Sequence, residues 1–160
     1  MDIGRLTAAE LLALHAKVAE ELRGRGIVRS SNNPTGDLAE TLFCRAFGWT
    51  QSGNSHPSAD ATGEDGVLYQ IKGRRIAPHN GSRQLSAMRG LPDGGFHFLA
   101  AVLFRPDYTV QRAAIIPHAL VLENSRYMEH TNSWKFLLRD VAWTWPGVED
   151  VTEQLRSVSF

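Results

Sequence analysis

An amide and an ammonium group stand two residues apart in the segment GEDGVLYQIKGRR, at Gln70 and Lys72. Because side chains alternate between the two faces of a strand, both side chains lie on one face. The carboxylate of Asp60 comes just before the turn into this strand. A carboxylate or carboxamide oxygen can hold a hard cation such as Mg²⁺, and an ammonium group stabilises developing negative charge. The combination predicts metal-assisted hydrolysis of a phosphodiester.

The turn before this strand determines whether Asp60 shares the face of Gln70 and Lys72. Its sequence EDG, at 64–66, suits a three-residue hairpin loop, whose last residue takes a left-handed backbone that glycine adopts without strain. Directly paired residues share a face, so we expect the three side chains to cluster. A loop one residue longer or shorter would turn Asp60 away. The predicted pairs are Gly63 with Val67, Thr62 with Leu68, Ala61 with Tyr69, and Asp60 with Gln70.

A further carboxylate, Glu40, lies in a predicted helix that begins at Pro34, is capped by Asn33 and ends before Gly48. At helical spacing Glu40 shares its side of the helix with Phe43, Cys44 and Phe47, and Leu38 and Leu42 lie on the opposite side. A carboxylate in such an apolar zone is costly unless a metal or a cationic partner neutralises it. The alternative is that Glu40 lies at the helix edge and is solvated.

The basic residues of the chain are unevenly distributed. Seventeen basic and seventeen acidic residues give zero net charge, which by itself argues against nucleic-acid binding. The interval between Asp65 and Asp93, however, contains five basic residues and no acid. Such a patch can bind phosphates, and a solvated arginine-rich loop is the alternative. The five residues are Lys72, Arg74, Arg75, Arg83 and Arg89.

Periodicity and turn residues predict a mixed α/β fold with a mostly antiparallel central sheet flanked by helices. The stretch FLAAVLF is apolar throughout and predicts a central strand that is buried on both faces. A helix over 7–23 opens with the capping-box pair Thr7 and Glu10. The other predicted elements are strands over 58–62, 67–73 and 109–116, a short helix over 82–88, a helix over 117–122, a strand within SWKFLLRD and a capped helix within GVEDVTEQL.

A chain of 160 residues, 42% of them hydrophobic, is long and apolar enough to form one domain with a sizeable core. No apolar run reaches the length needed to cross a bilayer, and the N-terminus MDIGRL lacks the pattern of a secretory signal. The one cysteine, Cys44, cannot form an intrachain disulfide. We therefore expect a cytoplasmic protein with no membrane partner.

Three separated segments, GDLAETL, PSAD and YQIK, bring an acid on a helix, an acid near a strand end and a lysine on the following strand toward one point. This arrangement resembles the PD-(D/E)xK superfamily of restriction-endonuclease-like nucleases. The matching pieces span residues 36–72, and the resemblance implies an αβββαβ core whose weak first strand lies near GWTQS. One residue departs from the pattern, since Gln70 replaces the second acid. Variants with Q-x-K are known in the superfamily.

The resemblance implies an endonuclease that depends on Mg²⁺ or Mn²⁺. In it, Asp60 is the central metal ligand, and the Gln70 carboxamide and the backbone carbonyl of Ile71 are further ligands. Glu40 binds the metal directly or through water, and Lys72 orients the attacking water or stabilises negative charge. Because Gln70 is uncharged, it holds a cation more weakly than a carboxylate would. The implied contacts to nucleic acid are Arg74, Arg75 and Arg83, with His79 and Asn80 as weaker candidates.

The resemblance also implies how the chain is organised and what it binds. The chain is then one nuclease-like domain over 1–160, in which helix 7–23 is an addition, 34–116 is the core and 117–160 adds a strand and helices. The expected partner is nucleic acid, with DNA favoured over RNA, and a homodimer is compatible with the resemblance.

Two other classes of function stay open from the sequence. A catalytically silent nuclease-like domain would bind nucleic acid or a protein partner through the same basic patch. A regulatory or assembly subunit would use the polar cluster only as a structural salt bridge. The acids that could replace Glu40 and Asp60 are Asp37, Glu64 and Asp65.

Overall fold

The computed structural model describes residues 1–30, 32–53 and 58–160. A six-stranded sheet forms the centre of this part of the chain, and helices pack on both of its faces. In chain order the elements are α1 (Ala8–Gly24), α2 (Thr35–Phe47), β1 (Thr50–Gln51), β2 (Ala61–Thr62), β3 (Leu68–Arg75), β4 (Phe98–Phe104), β5 (Val110–Pro117), α3 (His118–Glu123), β6 (Arg126–Met128), β7 (Ser133–Lys135), β8 (Glu149–Asp150) and α4 (Thr152–Arg156).

The sheet has the strand order β1-β2-β3-β4-β5-β8, and each neighbouring pair is antiparallel except β3 and β4, which run parallel. The predicted mixed α/β class with a mostly antiparallel sheet is therefore confirmed. The first strand, β1, has two residues and lies where the sequence predicts a weak strand. A separate antiparallel hairpin consists of β6 and β7.

The hairpin between β2 and β3 has the predicted register, with Ala61 opposite Tyr69 and Thr62 opposite Leu68. The loop glycine takes the predicted left-handed backbone, at φ 74°. β2 is shorter than the predicted strand over 58–62 because its ladder begins only at Ala61. Residues 54–57, which include Pro57 of the PSAD motif, lie outside the described residues.

The segment between β3 and β4 differs from the prediction, since residues 82–88 are extended rather than helical. Leu85 and Met88 donate backbone hydrogen bonds to the carbonyls of Phe136 and Trp134 at 3.0 Å each. Both residues are buried, so tertiary pairing outweighs the local preference for a helix turn. The parallel crossover from β3 to β4 thus contains no α-helix, and the helix of the implied αβββαβ order is replaced by this extended 82–88 segment.

The core forms two layers, one on each face of the sheet. On one face α2 and α4 pack through Leu42, Phe43 and Leu155, and on the other α3 and the 82–88 segment pack through Val121 and Leu85. The whole of β4 after its first residue is buried, because its alternate side chains enter both layers. The predicted central strand is therefore confirmed, and α2 lies directly against β3, the strand that carries Gln70 and Lys72.

The first two helices begin close to where the sequence predicts. The capping box of α1 is present, with the Thr7 side chain accepting from the Glu10 backbone. α2 begins at Thr35, one residue later than predicted, and the Asn33 side chain accepts from the Thr35 N–H at 3.0 Å. No residue of α1 is buried. None of the helices in the described ranges is both long and apolar enough to cross a bilayer.

The C-terminal third also departs from the predicted elements. The strand within SWKFLLRD is limited to β7, although Phe136 and Leu138 still alternate into the core. The predicted closing helix is divided, because Glu149 and Asp150 pair with β5 as strand β8 before α4 begins. The helix over 117–122 is confirmed as α3.

We expect Gly73→Ala to lower the free energy of unfolding by about 1–3 kcal/mol, because overpacking between a helix and a strand forces one of them to move. An added Cβ would lie 3.0 Å from the Cβ of Ala39 and 3.2 Å from the Phe104 ring and the Thr35 carbonyl. The control is Gly81→Ala, whose Cβ would meet no atom within 4 Å. Urea denaturation measures both, and equal stabilities would contradict the close contact of α2 with β3.

Candidate active site

A polar cleft of about 540 Å³ lies between the start of α2 and the face of β3. The side chains of Glu40, Asp60, Gln70 and Lys72 all line it. Glu40 belongs to α2, and Asp60 directly precedes β2. Gln70 and Lys72 both belong to β3. The structure therefore brings together the four side chains that the sequence places at one point.

Asp60 is held by the strand that it faces. Its Oδ2 atom accepts hydrogen bonds from the backbone N–H of Ile71 at 2.8 Å and from Nε2 of Gln70 at 2.7 Å. The backbone N–H of Asp60 in turn donates to the Tyr69 carbonyl at 2.8 Å. One carboxylate oxygen thus fixes the side chain, and the other, Oδ1, accepts no hydrogen bond from the described residues.

The carboxamide of Gln70 has a defined orientation because its nitrogen donates to Asp60. Its oxygen accepts no hydrogen bond from the described residues. The backbone carbonyl of Ile71 also points toward the cleft, because successive carbonyls of a strand point alternately to its two edges. The Tyr69 carbonyl bonds to Asp60 on the β2 side, the Leu68 carbonyl bonds to His97 on the β4 side, and Ile71 follows Tyr69 by two residues.

Glu40 is largely buried and forms an ion pair with Arg29. Its Oε2 atom accepts from Nη2 of Arg29 and from Nε2 of Gln51, both at 2.6 Å. Only 16% of its side chain is exposed, against 52% for Arg29. The structure therefore supports the buried alternative for Glu40 over the solvated one, with Arg29 as the neutralising cation.

Lys72 extends into the cleft without a salt bridge. Its Nζ donates to Oγ of Ser86 at 2.8 Å, and no acid in the described ranges lies within 4.0 Å of it. A structural ion pair of Lys72 with Glu40 or Asp60, one of the alternatives from the sequence, is therefore not formed. The ammonium group is directed to the site by a neutral hydroxyl group instead.

The ionisable groups of the cleft are desolvated. Burial raises the pKa of Asp60 more than the Ile71 N–H, Lys72 and Arg29 together lower it. Burial also raises the pKa of Glu40, with a further increase from Asp60, against the Gln51 and Arg29 contacts. Burial lowers the pKa of Lys72, while both carboxylates oppose that change. Groups whose pKa values are displaced by burial in an open cleft are typical of functional sites.

The two arginines after Lys72 line the same cleft. Arg74 donates from Nε to the Ser82 carbonyl at 3.0 Å, and Arg75 donates from Nε to the Pro106 carbonyl at 2.7 Å. The Arg75 guanidinium also lies 4.9 Å from the centre of the Tyr108 ring. Neither arginine forms a salt bridge within the described ranges, so their positive charge is available to an anion.

The other predicted nucleic-acid contacts lie outside the cleft. Arg83 forms a salt bridge with Asp140 at 2.6 Å, which Arg112 shares at 3.2 Å, so its charge is already compensated. His79 and Asn80 lie in an exposed turn beyond the end of β3.

The alternative acids are also accounted for elsewhere. Asp37 accepts from the backbone N–H groups of Arg29 and Ser30 and from the Ser30 hydroxyl, which fixes the loop before α2. Glu64 and Asp65 are exposed in the hairpin turn.

Burial raises the pKa of Cys44 to about 11, so this thiol is protonated at neutral pH and unsuited to nucleophilic attack.

Three residues of the site were missed by the sequence reasoning: Arg29, Gln51 and Ser86. Arg29 and Gln51 come from a loop and a two-residue strand, where no periodic pattern indicates direction. Ser86 was hidden because the 82–88 segment was predicted to be helical. A signal did exist for Gln51, since it lies in the segment expected to form the weak first strand.

Among the described residues, no group of three or more histidine, cysteine, aspartate or glutamate side chains is placed to hold a metal. A cation in this cleft would therefore rely on two carboxylates and a carboxamide. No protein-family model matches the chain, and no curated protein sequence matches it either.

We expect Lys72→Met to leave the free energy of unfolding at pH 7 unchanged or to raise it by up to about 1 kcal/mol, because burial disfavours the charged amine more than its neighbours favour it. The lowered pKa penalises the wild type only where the amine is charged in the folded state. The difference should therefore shrink as the pH rises through that pKa toward the unfolded value of about 10.4.

Denaturation between pH 7 and 10.5 measures this difference, with Lys17→Met on the exposed side of α1 as the matched control. A loss of more than about 1 kcal/mol that is confined to the Lys72 variant would show that this amine holds the fold together.

Proposed function

We propose that the protein is a metal-dependent nuclease that hydrolyses phosphodiester bonds, with DNA as the favoured substrate. The observation that carries the proposal is the cleft in which two desolvated carboxylates, of Glu40 and Asp60, face an ammonium group that forms no salt bridge with a described acid. Burial of such groups costs stability, and the binding of a charged ligand would offset that cost.

The donor atoms of the cleft fit a hard divalent cation. Asp60 Oδ1, the Gln70 carboxamide oxygen and the Ile71 carbonyl are oxygen donors on one side of β3. The second carboxylate oxygen of Glu40 is the remaining candidate. Oxygen donors of this kind select Mg²⁺ or Mn²⁺ over softer metals. When bound, such an ion would neutralise phosphate charge and lower the pKa of a bound water.

The residues of the chain have separate roles in the proposed reaction. Asp60, fixed by two hydrogen bonds, orients the donor set. Lys72 stabilises the negative charge that develops on the phosphate, since its ammonium is free of carboxylate partners and partly desolvated. Ser86 directs that ammonium into the cleft. Arg29 compensates the charge of Glu40 when no ligand is present.

The substrate backbone is proposed to lie along Arg74 and Arg75. Both guanidinium groups are held at one nitrogen by backbone carbonyls, which leaves their remaining N–H groups for phosphate oxygens. Contacts of this kind position a nucleic acid without reading its sequence.

A second candidate function is a nucleic-acid-binding domain without cleavage. The observation that favours it is the Gln70 amide, whose nitrogen occupies Asp60 and whose neutrality leaves the site with only two carboxylates. Under this alternative the arginines bind phosphate, but no cation is held tightly enough for hydrolysis.

We expect purified protein to nick supercoiled plasmid in MgCl₂ or MnCl₂ and not in EDTA. Lys72→Met and Asp60→Asn should each lower the rate by about 100-fold or more. The first removes the positive charge that stabilises the transition state, and the second removes a carboxylate ligand of the proposed metal. Lys17→Met is the control for handling and folding. Cleavage that persists in EDTA or in the Lys72 variant would contradict the proposal, and salt-sensitive binding without cleavage would favour the silent domain.

We expect Gln70→Glu to raise the affinity for Mn²⁺ by about tenfold, since a third carboxylate adds charge to the donor set. Without metal the variant should unfold at lower temperature, because two carboxylates then lie within hydrogen-bond distance. Calorimetric titration with MnCl₂ and melting with and without metal test both effects. The exposed Gln154→Glu is the control. Equal affinity in wild type and Gln70→Glu would exclude this donor set.

A further inference from the structure

A second cavity, of about 390 Å³, lies apart from the cleft residues on a small antiparallel layer. This layer consists of β6, β7 and its continuation, and the 82–88 segment, which are linked by strand pairing and isolated bridges. Its inner face is buried through Leu85, Phe136 and Leu138, so alternate residues face outward. The outward residues and the adjoining loops supply three cations, two carboxamides and a tryptophan: Arg126, Lys135, Arg139, Gln84, Asn124 and Trp145.

The charges of this cavity are uncompensated. None of its three cations forms a salt bridge within the described ranges, and the residues that line it include no acid. Asp140, the sequence neighbour of Arg139, is engaged by Arg83 and Arg112. Like charges that are directly opposite across strands are destabilising, and Arg126 is the direct partner of Lys135. The cavity therefore presents three positive charges without an acidic partner among the described residues.

The uncharged lining residues suit a planar, hydrogen-bonding group. The half-buried Trp145 contributes an aromatic wall, with its ring 6.3 Å from that of Phe136 in an edge contact. The Gln84 side chain has no hydrogen-bond partner within the described ranges. Asn124 donates to the Leu120 carbonyl at 2.8 Å, which leaves its side-chain oxygen for a ligand. Aromatic and carboxamide side chains beside cations are the groups that bind unpaired nucleobases and their phosphates.

The 82–88 segment connects this cavity with the cleft. Gln84 lines the cavity, and Ser86, two residues further on the same face, accepts the hydrogen bond from Lys72. Two residues of extended chain span roughly 7 Å. At the other end of the segment, the Ser82 carbonyl accepts from Arg74 of the cleft. A single nucleic-acid strand that lies across the 82–88 segment would therefore reach both the cavity and the cleft.

We infer that the cavity binds an unpaired nucleotide of a single nucleic-acid strand, whose continuation enters the cleft. The phosphate lies against Arg126, Lys135 and Arg139, and the base lies between Trp145 and the carboxamide of Gln84. A base inside a duplex could not enter such a cavity, because its faces are covered by stacking. The course of the strand into the cleft rests on the proposed function, whereas binding at the cavity does not.

The test is the affinity of the full chain for a fluorescein-labelled single-stranded 12-mer, measured by anisotropy in EDTA over a series of NaCl concentrations. We expect the triple variant Arg126→Gln, Lys135→Gln and Arg139→Gln to bind about tenfold more weakly or worse at low salt. The slope of log K against log salt should fall by about 0.7, since roughly 0.7 counterions are released per neutralised phosphate of a single strand and the cavity takes one phosphate. The melting temperature should not fall, because a like-charge pair is removed.

The control is Lys17→Gln, Arg23→Gln and Arg25→Gln, which removes the same number of charges from α1 and its C-cap and should keep the wild-type affinity and slope. Arg23 and Arg25 form salt bridges with Glu20 and Glu21. Unchanged affinity in the cavity variant, or an equal loss in the control, would overturn the inference. So would tighter binding of the matching duplex than of the single strand. Competition by mononucleotide as strong as that by the 12-mer would also overturn it, because the ligand would then be a free nucleotide.

The outcome is independent of the nuclease assay. Because binding is measured in EDTA, a protein that never cleaves can still show the cavity-dependent affinity. Conversely, the cavity variant could bind the 12-mer as tightly as wild type while plasmid nicking persists. That result would refute nucleotide binding in the cavity and leave the cleft proposal intact.

Discussion

The site depends on one carboxylate oxygen. Oδ2 of Asp60 accepts from the Ile71 backbone at 2.8 Å and from the Gln70 side chain at 2.7 Å, which ties the end of β2 to the middle of β3. Once this contact is made, strand alternation directs Gln70 and Lys72 to the same face and the Ile71 carbonyl to the same edge. The α2 helix then only has to lie against β3 to place Glu40, and Gly73 allows that close approach.

The burial of ionisable groups in the cleft lowers the stability of the fold. Two carboxylates whose pKa values are raised by burial and an amine whose pKa is lowered by burial lie in one cavity, and the amine is held by a hydroxyl group instead of an acid. Buried ionic groups are usually paired with an opposite charge, as Glu40 is with Arg29, whereas Lys72 forms no such pair with a described acid. The second cavity shows the same feature in another form, with two cations opposite each other across β6 and β7. Both features support the two proposals that the protein binds a charged ligand at these places.

Features set by local chemistry could be predicted from the sequence, and those set by distant partners could not. The register of the hairpin follows from a three-residue loop ending in Gly66, and β4 follows from its apolar composition. The direction of Glu40 follows from helical spacing, but its partner Arg29 comes from a loop without periodicity. The 82–88 segment was predicted wrongly as a helix because its backbone pairs with Trp134 and Phe136, far along the chain. Ser86 was missed for the same reason.

The most direct test of the central claim is the position of a bound metal. Crystals soaked in MnCl₂ should give an anomalous difference peak in the cleft, within coordination distance of Asp60 Oδ1 and of the Gln70 carboxamide oxygen or the Ile71 carbonyl, at about 2.2 Å. The peak should be absent from crystals of Asp60→Asn. A strong manganese peak elsewhere, with the cleft empty at saturating metal, would contradict the assignment of these residues to a metal-dependent hydrolytic site.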